Sequence, residues 1–302
     1  RSQSGHIQLG PDLMAINYQK LLNWSFPTIE QTYTEKDSIL YALGVGLGND
    51  PMDVNQLQYA FEEPRLSALP TMAAVLGTPG FWLRDPQTGV TWETVLHGEQ
   101  GIHIHHTLPP AATIIAKTQV TDVVDKGAKR GTFIYTQREL SDQTTGQVLA
   151  TLTATTIARS DGGFGGGSDH QMRPHTLPDR SPDQTCSLTS LPQAALIYRL
   201  SGDPNPLHAS PMIAKKAGFH APILHGLCTL GIAGHAILKA CLDYDAERFR
   251  SMQVRFSAPV YPGETIRTEM WVGETEISFR SLAVERDVVV LNNGCVGFAP
   301  GE

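Results

Sequence analysis

The densest chemistry in the sequence lies in Tyr198–His208, which reads YRLSGDPNPLH. Asp203, Asn205 and His208 fall within six residues, with Pro204 and Pro206 between them. Proline at alternate positions fixes φ and prevents a helix. The segment is therefore expected to be a rigid loop at a helix end that presents three polar side chains. A carboxylate beside an imidazole is an acid/base pair that works near neutral pH. The same residues also read as an aspartate helix cap followed by a surface histidine. Further on, Ala221–Leu227 reads APILHGL, and Gly226 stands where a long helical pattern begins. Amides at a helix N-terminus are unpaired and carry positive partial charge, which suits an oxyanion. A glycine there lets a bound molecule approach the backbone, or simply makes a turn.

Other candidates are weaker. GVGLGN lacks the third glycine of a dinucleotide fingerprint and follows a helical pattern, and GGFGGG is also out of context. His103, His105 and His106 bring three imidazoles together, but Ile102 and Ile104 alternate with them as on a strand with one wet face. No cysteine or carboxylate motif accompanies them, so no metal site is expected. A GxSxG elbow is absent. Lys215 and Lys216 read as solvated or as phosphate-binding lysines, and His97 and His225 as core or pocket histidines.

These groups need elements to hold them. Asp161–Gly167 reads DGGFGGG and opens a polar, proline-dotted stretch, which has the chemistry of a loop. The stretch divides the chain into a first half of residues 1–160, a linker of residues 161–182 and a second half of residues 183–302. The halves echo each other. SILYALGVGLGNDP around Tyr41 aligns with ALIYRLSGDPNPLH around Tyr198, and Thr107–Val120 with Pro259–Val272. Two matches in the same order at nearly the same offset imply an internal duplication.

Helical patterns are read at Asp37–Gly44, Leu191–Ser201 and Gly226–Leu242. Strands are expected at Gly101–His106, Ala112–Asp125, Gly131–Ser141 and Val148–Ser160. In the second half they are expected at Met252–Phe256, Glu264–Gly273, Ile277–Arg286 and Val288–Val296. Helices early and strands later argue for an α+β fold and against βαβ winding.

With 302 residues, 41% hydrophobic and 18% charged, the chain is globular in composition and long enough for two domains. Its net charge of -7 disfavours wrapping nucleic acid. Cys186, Cys228, Cys241 and Cys295 show no CxxC spacing and read as reduced thiols of an intracellular protein. No apolar run approaches the roughly 20 residues of a spanning helix.

The run YRLSGDPNPLHASPMIAKKAGFHAPILHGL resembles the R-specific 2-enoyl-CoA hydratases, MaoC-like proteins that include the hydratase domain of peroxisomal multifunctional enzyme type 2. YALGVG, LHGEQ at Leu96–Gln100, GGFGG at Gly162–Gly166 and RFSAPVYPGETIRTEMW at Arg255–Trp271 also fit. The resemblance implies a double hot-dog fold, two antiparallel sheets each wrapped around a long helix, with the first repeat binding substrate. It implies hydration of trans-2-enoyl-CoA to (3R)-3-hydroxyacyl-CoA in fatty-acid β-oxidation or a related pathway. A hot-dog thioesterase and a non-catalytic acyl-CoA binding module are the alternatives.

By the same resemblance, Asp203 and His208 match the catalytic pair, Asn205 the active-site asparagine and Gly226 the oxyanion-hole amide. Arg199 stands beside the catalytic loop, and Gly163, Phe164, Gly165 and His97 go with substrate binding. Gly46, Gly48 and Pro51 occupy the aligned positions of Asp203, Asn205 and His208, so one active site per chain is expected. Gly46 is expected to make room for an acyl chain. The CoA thioester is the substrate, and neither cofactor nor metal is implied. A homodimer is expected, or a domain or associate of a multifunctional enzyme. The expected location is the peroxisome in a eukaryote and the cytoplasm in a bacterium.

Overall fold

The computed structural model describes residues 16–167 and 173–301; part of the expected linker, 168–172, lies outside the described residues. The first half forms β1 (Ile29–Tyr33), β2 (Val95–Ile104), β3 (Ala112–Asp125), β4 (Thr132–Asp142) and β5 (Val148–Ala158). The second half forms β6 (Gln184–Thr189), β7 (Phe249–Phe256), β8 (Thr265–Val272), β9 (Glu276–Ala283) and β10 (Val288–Phe298). The α-helices among the described residues are α1 (Tyr18–Leu22), α2 (Glu35–Gly44), α3 (Val54–Leu57), α4 (Ala194–Tyr198), α5 (Pro211–Lys216) and α6 (Gly226–Cys241).

All ten strands join one antiparallel sheet in the order β1-β3-β4-β5-β2-β7-β10-β9-β8-β6. Read inward from either end, the order is first, third, fourth, fifth and second strand of each half. That palindrome is the structural form of the duplication read from the sequence. The two five-stranded sheets meet edge to edge at β2 and β7, where Glu99 faces Arg255 across the seam and pairs with it. Joining them covers two edges that would otherwise be open to pairing with other chains. The expected α+β class is the observed one. The eight strands read from the sequence are all present, with Ala112–Asp125 matched end to end. The two that pattern reading missed, β1 and β6, are short outer strands of five and six residues. Their polar residues face water and leave little apolar alternation to read.

Among the described residues the long helix occurs once. α6 spans 16 residues, and Cys228–Leu238 is buried throughout. A helix apolar all round belongs inside a core. Gly231 and Gly234 let the first half close on it: a Cβ would stand 2.5 Å from Val45 Cγ1 at the former and 2.7 Å from Thr71 Cγ2 at the latter. The second long helix implied by the resemblance has no counterpart among the described residues of the first half. There the chain carries α2, ten residues long, and a 3-10 turn at Pro70–Val75. The intervening sequence holds Gly46, Gly48, Pro51, Pro64 and Pro70, which a continuous helix does not tolerate.

One core runs through both halves, from Tyr33 and Ile114 to Phe279 and Val296. Tyr41 and Tyr198, which the internal alignment superimposes, meet inside it with ring centroids 5.9 Å apart. A smaller cluster around Leu21, Val123 and Ile134 closes the β3–β5 end of the first sheet. The four cysteines are free, and no described helix is long and apolar enough to cross a membrane.

Candidate active site

The loop after α4 is shaped by its small and imino residues. A 3-10 turn at Arg199–Ser201 ends at Gly202, whose φ of 124° lies outside the range that side-chain-bearing residues favour. Asp203 Oδ1 accepts from the Asn205 amide at 3.1 Å, and Asn205 Oδ1 accepts from the Leu207 amide at 3.1 Å. Asn205 thus caps the 3-10 turn Pro206–His208, with Pro206 in its first position. His208 is buried, and its Nδ1–H donates to the Ile223 carbonyl at 2.8 Å. A carbonyl can only accept, so the proton is on Nδ1 and Nε2 is left with a free lone pair. The Asp203 side chain keeps 46% of its surface open to solvent.

His225, the residue before α6, completes the cluster. Its Nε2–H donates to the Asp203 carbonyl at 3.1 Å and lies 4.0 Å from the Asp203 carboxylate. Its ring stacks on His208, and one nitrogen or oxygen from each of Asp203, His208 and His225 falls within 4.8 Å of the others. Burial lowers the pKa of His225 to about 4, with the His208 ring acting in the same direction. Burial also lowers that of His208. Both imidazoles are therefore neutral at pH 7. Asp203 and His208 are brought together as expected, with a buried neutral ring behind them.

Gly226 opens α6 immediately after His225, so the unpaired amides of that helix end lie beside the cluster. A Cβ on Gly226 would stand 3.2 Å from the Phe256 ring. Phe256 in turn packs on His97, centroids 4.7 Å apart. His97 reaches this place through a β-bulge. Glu99 pairs with Thr155 and His97 with Thr156, so Gly98 is the extra residue. Two residues of β2 that would otherwise share a face are split. Glu99 turns to Arg255 and Thr155, while the exposed His97 turns to the opposite face, close enough to Asp203 to feel its charge. Arg199 lies near enough to His225 to disfavour its protonation.

The other assigned residues are not part of this cluster. Gly46 has φ of 91° and lies against His235 on the middle of α6. That backbone conformation alone accounts for a glycine. The amides of Gly163 and Gly165 donate to the Asp125 carboxylate, and Phe164 packs into the smaller core cluster. Their loop lies at the rim beside β3, three strands from β2, or about 14 Å at the usual strand spacing. His105 and His106 bond to Thr151 and to the Val148 carbonyl of β5.

Residues 31–160 match the MFE-2 hydratase 2 N-terminal domain family, and residues 173–293 match the MaoC like domain family. The "Probable enoyl-CoA hydratase 2" of Dictyostelium discoideum is 35% identical over 95% of this chain and 98% of its own length. The chain belongs to the MaoC-like enoyl-CoA hydratase 2 family. A MaoC-like dehydratase from Phytophthora capsici has a similar structure, with a TM-score of 0.84 and 34% identity over 95% of this chain and all of that one. Full-length peroxisomal multifunctional enzyme type 2 from Drosophila melanogaster matches at a TM-score of 0.77 and 34% identity, over 90% of this chain and 48% of that one. The matched part is about half of that longer enzyme. A Mycobacterium tuberculosis protein described as a double hotdog, 14% identical with a TM-score of 0.55, shares the fold over 94% of this chain.

Pattern reading left His225 undecided between core and pocket and passed over Arg138. The latter shares an inward face with Ile134 and Leu140 on β4. A charge at an inward position of an apolar alternation was the available signal. Its guanidinium donates to the Ala74 carbonyl at 2.7 Å, and the adjoining Val75 carbonyl stands 3.5 Å from where a Gly202 Cβ would be. Arg138 thereby braces the first half against the Asp203 loop.

Proposed function

We propose that this chain hydrates trans-2-enoyl-CoA thioesters to (3R)-3-hydroxyacyl-CoA, reversibly, as a step of fatty-acid β-oxidation or a related acyl-CoA pathway. The observation that carries this reading is the Asp203–His208 pair set beside the open N-terminus of α6. Conjugation with the thioester carbonyl makes C3 electrophilic. Attack there by water moves electron density to the carbonyl oxygen, where the Gly226 amide stabilises it; one such donor is worth roughly 10²–10³ in rate. Asp203 and the free lone pair of His208 Nε2 hold the water between them. One takes its proton as the C3–O bond forms, and a proton is delivered to C2. Acid/base help of this kind contributes about 10²–10⁴. Asn205 keeps the loop in shape through its Oδ1 and offers its Nδ2 to orient water or substrate.

Water supplying OH and H from one side implies syn addition. The thioester itself activates C3, so the reaction needs neither redox cofactor nor metal. We further propose that residues of the first half form the wall of the acyl site, and that the protein works as a homodimer or within a multifunctional enzyme. In a eukaryote the peroxisome is its place, as for the Drosophila relative, and in a bacterium the cytoplasm.

The test supplies crotonyl-CoA and longer enoyl-CoA esters, follows loss of the conjugated absorbance and determines product configuration. An (S) product, or release of free CoA without hydration, overturns the reading. Chain-length profiling of the same turnover defines the acyl specificity.

A further inference from the structure

A second group of metal-type donors lies apart from the acid/base cluster, on the outer face of the second sheet. His175 on the linker, Glu276 on β9 and Cys295 on β10 each offer one donor atom, all within 4.8 Å of one another. Cys295 Sγ and Glu276 Oε2 are 3.7 Å apart. Ligands of a tetrahedral zinc, bound at about 2.0–2.3 Å, stand roughly 3.3–3.6 Å from each other. The thiol and carboxylate are already near that spacing, and small side-chain rotations bring in the imidazole.

The backbone is built to hold this arrangement. Cys295 pairs directly with Ser278 across the β10–β9 ladder, which places Cys295, Ser278 and Glu276 on one face. The register of β10 shifts between Asn292 and Cys295, and Asn293 at that shift has φ of 53°. The Asn293 side-chain amide donates to the His175 carbonyl at 2.8 Å, pinning the linker above the sheet. His175 Nε2 is 2.7 Å from Ser278 Oγ. Such outer hydrogen bonds orient an imidazole for a metal.

We propose that His175, Glu276 and Cys295 form a zinc site, with water as the fourth ligand, that clips the interdomain linker to the outer face of the second sheet. A thiolate and an imidazole select zinc over magnesium or calcium. On binding, the Cys295 thiol gives its proton to solvent and the sulfur becomes a ligand. The clip takes no part in hydration. It stabilises the folded chain by mass action, because the three ligands come together only when linker and sheet are docked.

The test uses the full chain, stripped with a chelator and titrated with Co(II) and then Zn(II). One equivalent of Co(II) should give a tetrahedral spectrum with a thiolate charge-transfer band, and zinc should abolish it. Cys295→Ser should lose the band and bind zinc at least tenfold more weakly, while keeping wild-type turnover. His175→Gln and Glu276→Gln should each weaken zinc binding by a similar factor. Because Asp203, His208 and His225 also cluster, His208→Gln is the control and should leave the band intact. Absence of a thiolate band at millimolar Co(II), a band that survives Cys295→Ser, or one lost in His208→Gln would each overturn the proposal.

Discussion

The imidazoles of His208 and His225 are stacked, with centroids 3.7 Å apart and planes inclined by 28°. One ring comes from the Pro206 turn and the other from the residue before α6, so the stack joins the Asp203 loop to the N-terminus of the helix. Two rings this close cannot both carry a proton cheaply, and burial disfavours charge on either. The stack is a neutral platform that leaves His208 Nε2 free to accept.

His225 holds this geometry through its bond to the Asp203 carbonyl and through the stack. His225→Asn removes both while keeping a polar group. A misplacement of 1 Å at a reacting pair costs about 10² in rate. We expect kcat to fall by about that factor with KM within a few-fold of wild type. Steady-state kinetics on crotonyl-CoA measure the split. A change confined to KM would show that His225 contacts substrate instead.

On the proposed mechanism Asp203 and His208 act on one water, so their effects should not add. Asp203→Asn and His208→Gln are each expected to lower kcat by about 10²–10⁴. The double variant should be little worse than the poorer single one, since groups working as a unit are strongly non-additive. A double variant slowed by the product of the two single effects would show independent roles.

Acid should destabilise the protein through its buried histidines. Burial lowers the pKa values of both His225 and His235 to about 4, against about 6.5 in an unfolded chain. Between those values the unfolded state binds more protons than the folded one, so stability rises with pH. It is fully present above about pH 6.5 and lost progressively toward pH 4. Urea midpoints at pH 7.5, 5.5 and 4.5 should fall in that order. A flat profile would mean that these rings are charged or open to water in the fold. Because the His208 pKa is also lowered, the acid limb of kcat/KM should lie below the ordinary histidine value.

The contact between α6 and the first half leaves no room for a methyl group at Gly231. Its Cβ would meet Val45 Cγ1 at 2.5 Å and the Tyr41 hydroxyl at 2.9 Å. Alanine is the better helix former by about 1 kcal/mol, but overpacking a well-filled core costs about 1–3 kcal/mol. Gly231→Ala should therefore be neutral to about 2 kcal/mol less stable by urea unfolding. A clear gain in stability would show that the interface yields.

The sequence by itself determined what depends on neighbours along the chain. Pro204 and Pro206 dictated a rigid loop, and Gly226 followed by an apolar run dictated where α6 begins. The paired motifs around Tyr41 and Tyr198 disclosed the repeat, which the palindromic strand order displays. The resemblance named the family from one ordered run of residues. Tertiary structure decided the rest.

A bulge at Gly98 turned His97 and Glu99 to opposite faces, and the short stretch Val95–His97 before it is too brief to show the inverted phase in a period-two pattern. Among the described residues no second long helix forms, because the Gly- and Pro-rich chain between α2 and β2 folds as short helical turns. His225 joins His208 because the Ile223 carbonyl holds one ring and the Asp203 carbonyl holds the other. Those are contacts between separate segments of the second half, set by how the Asp203 loop packs against the start of α6. Local pattern reports dihedral angles and faces; which faces meet is a property of the whole core.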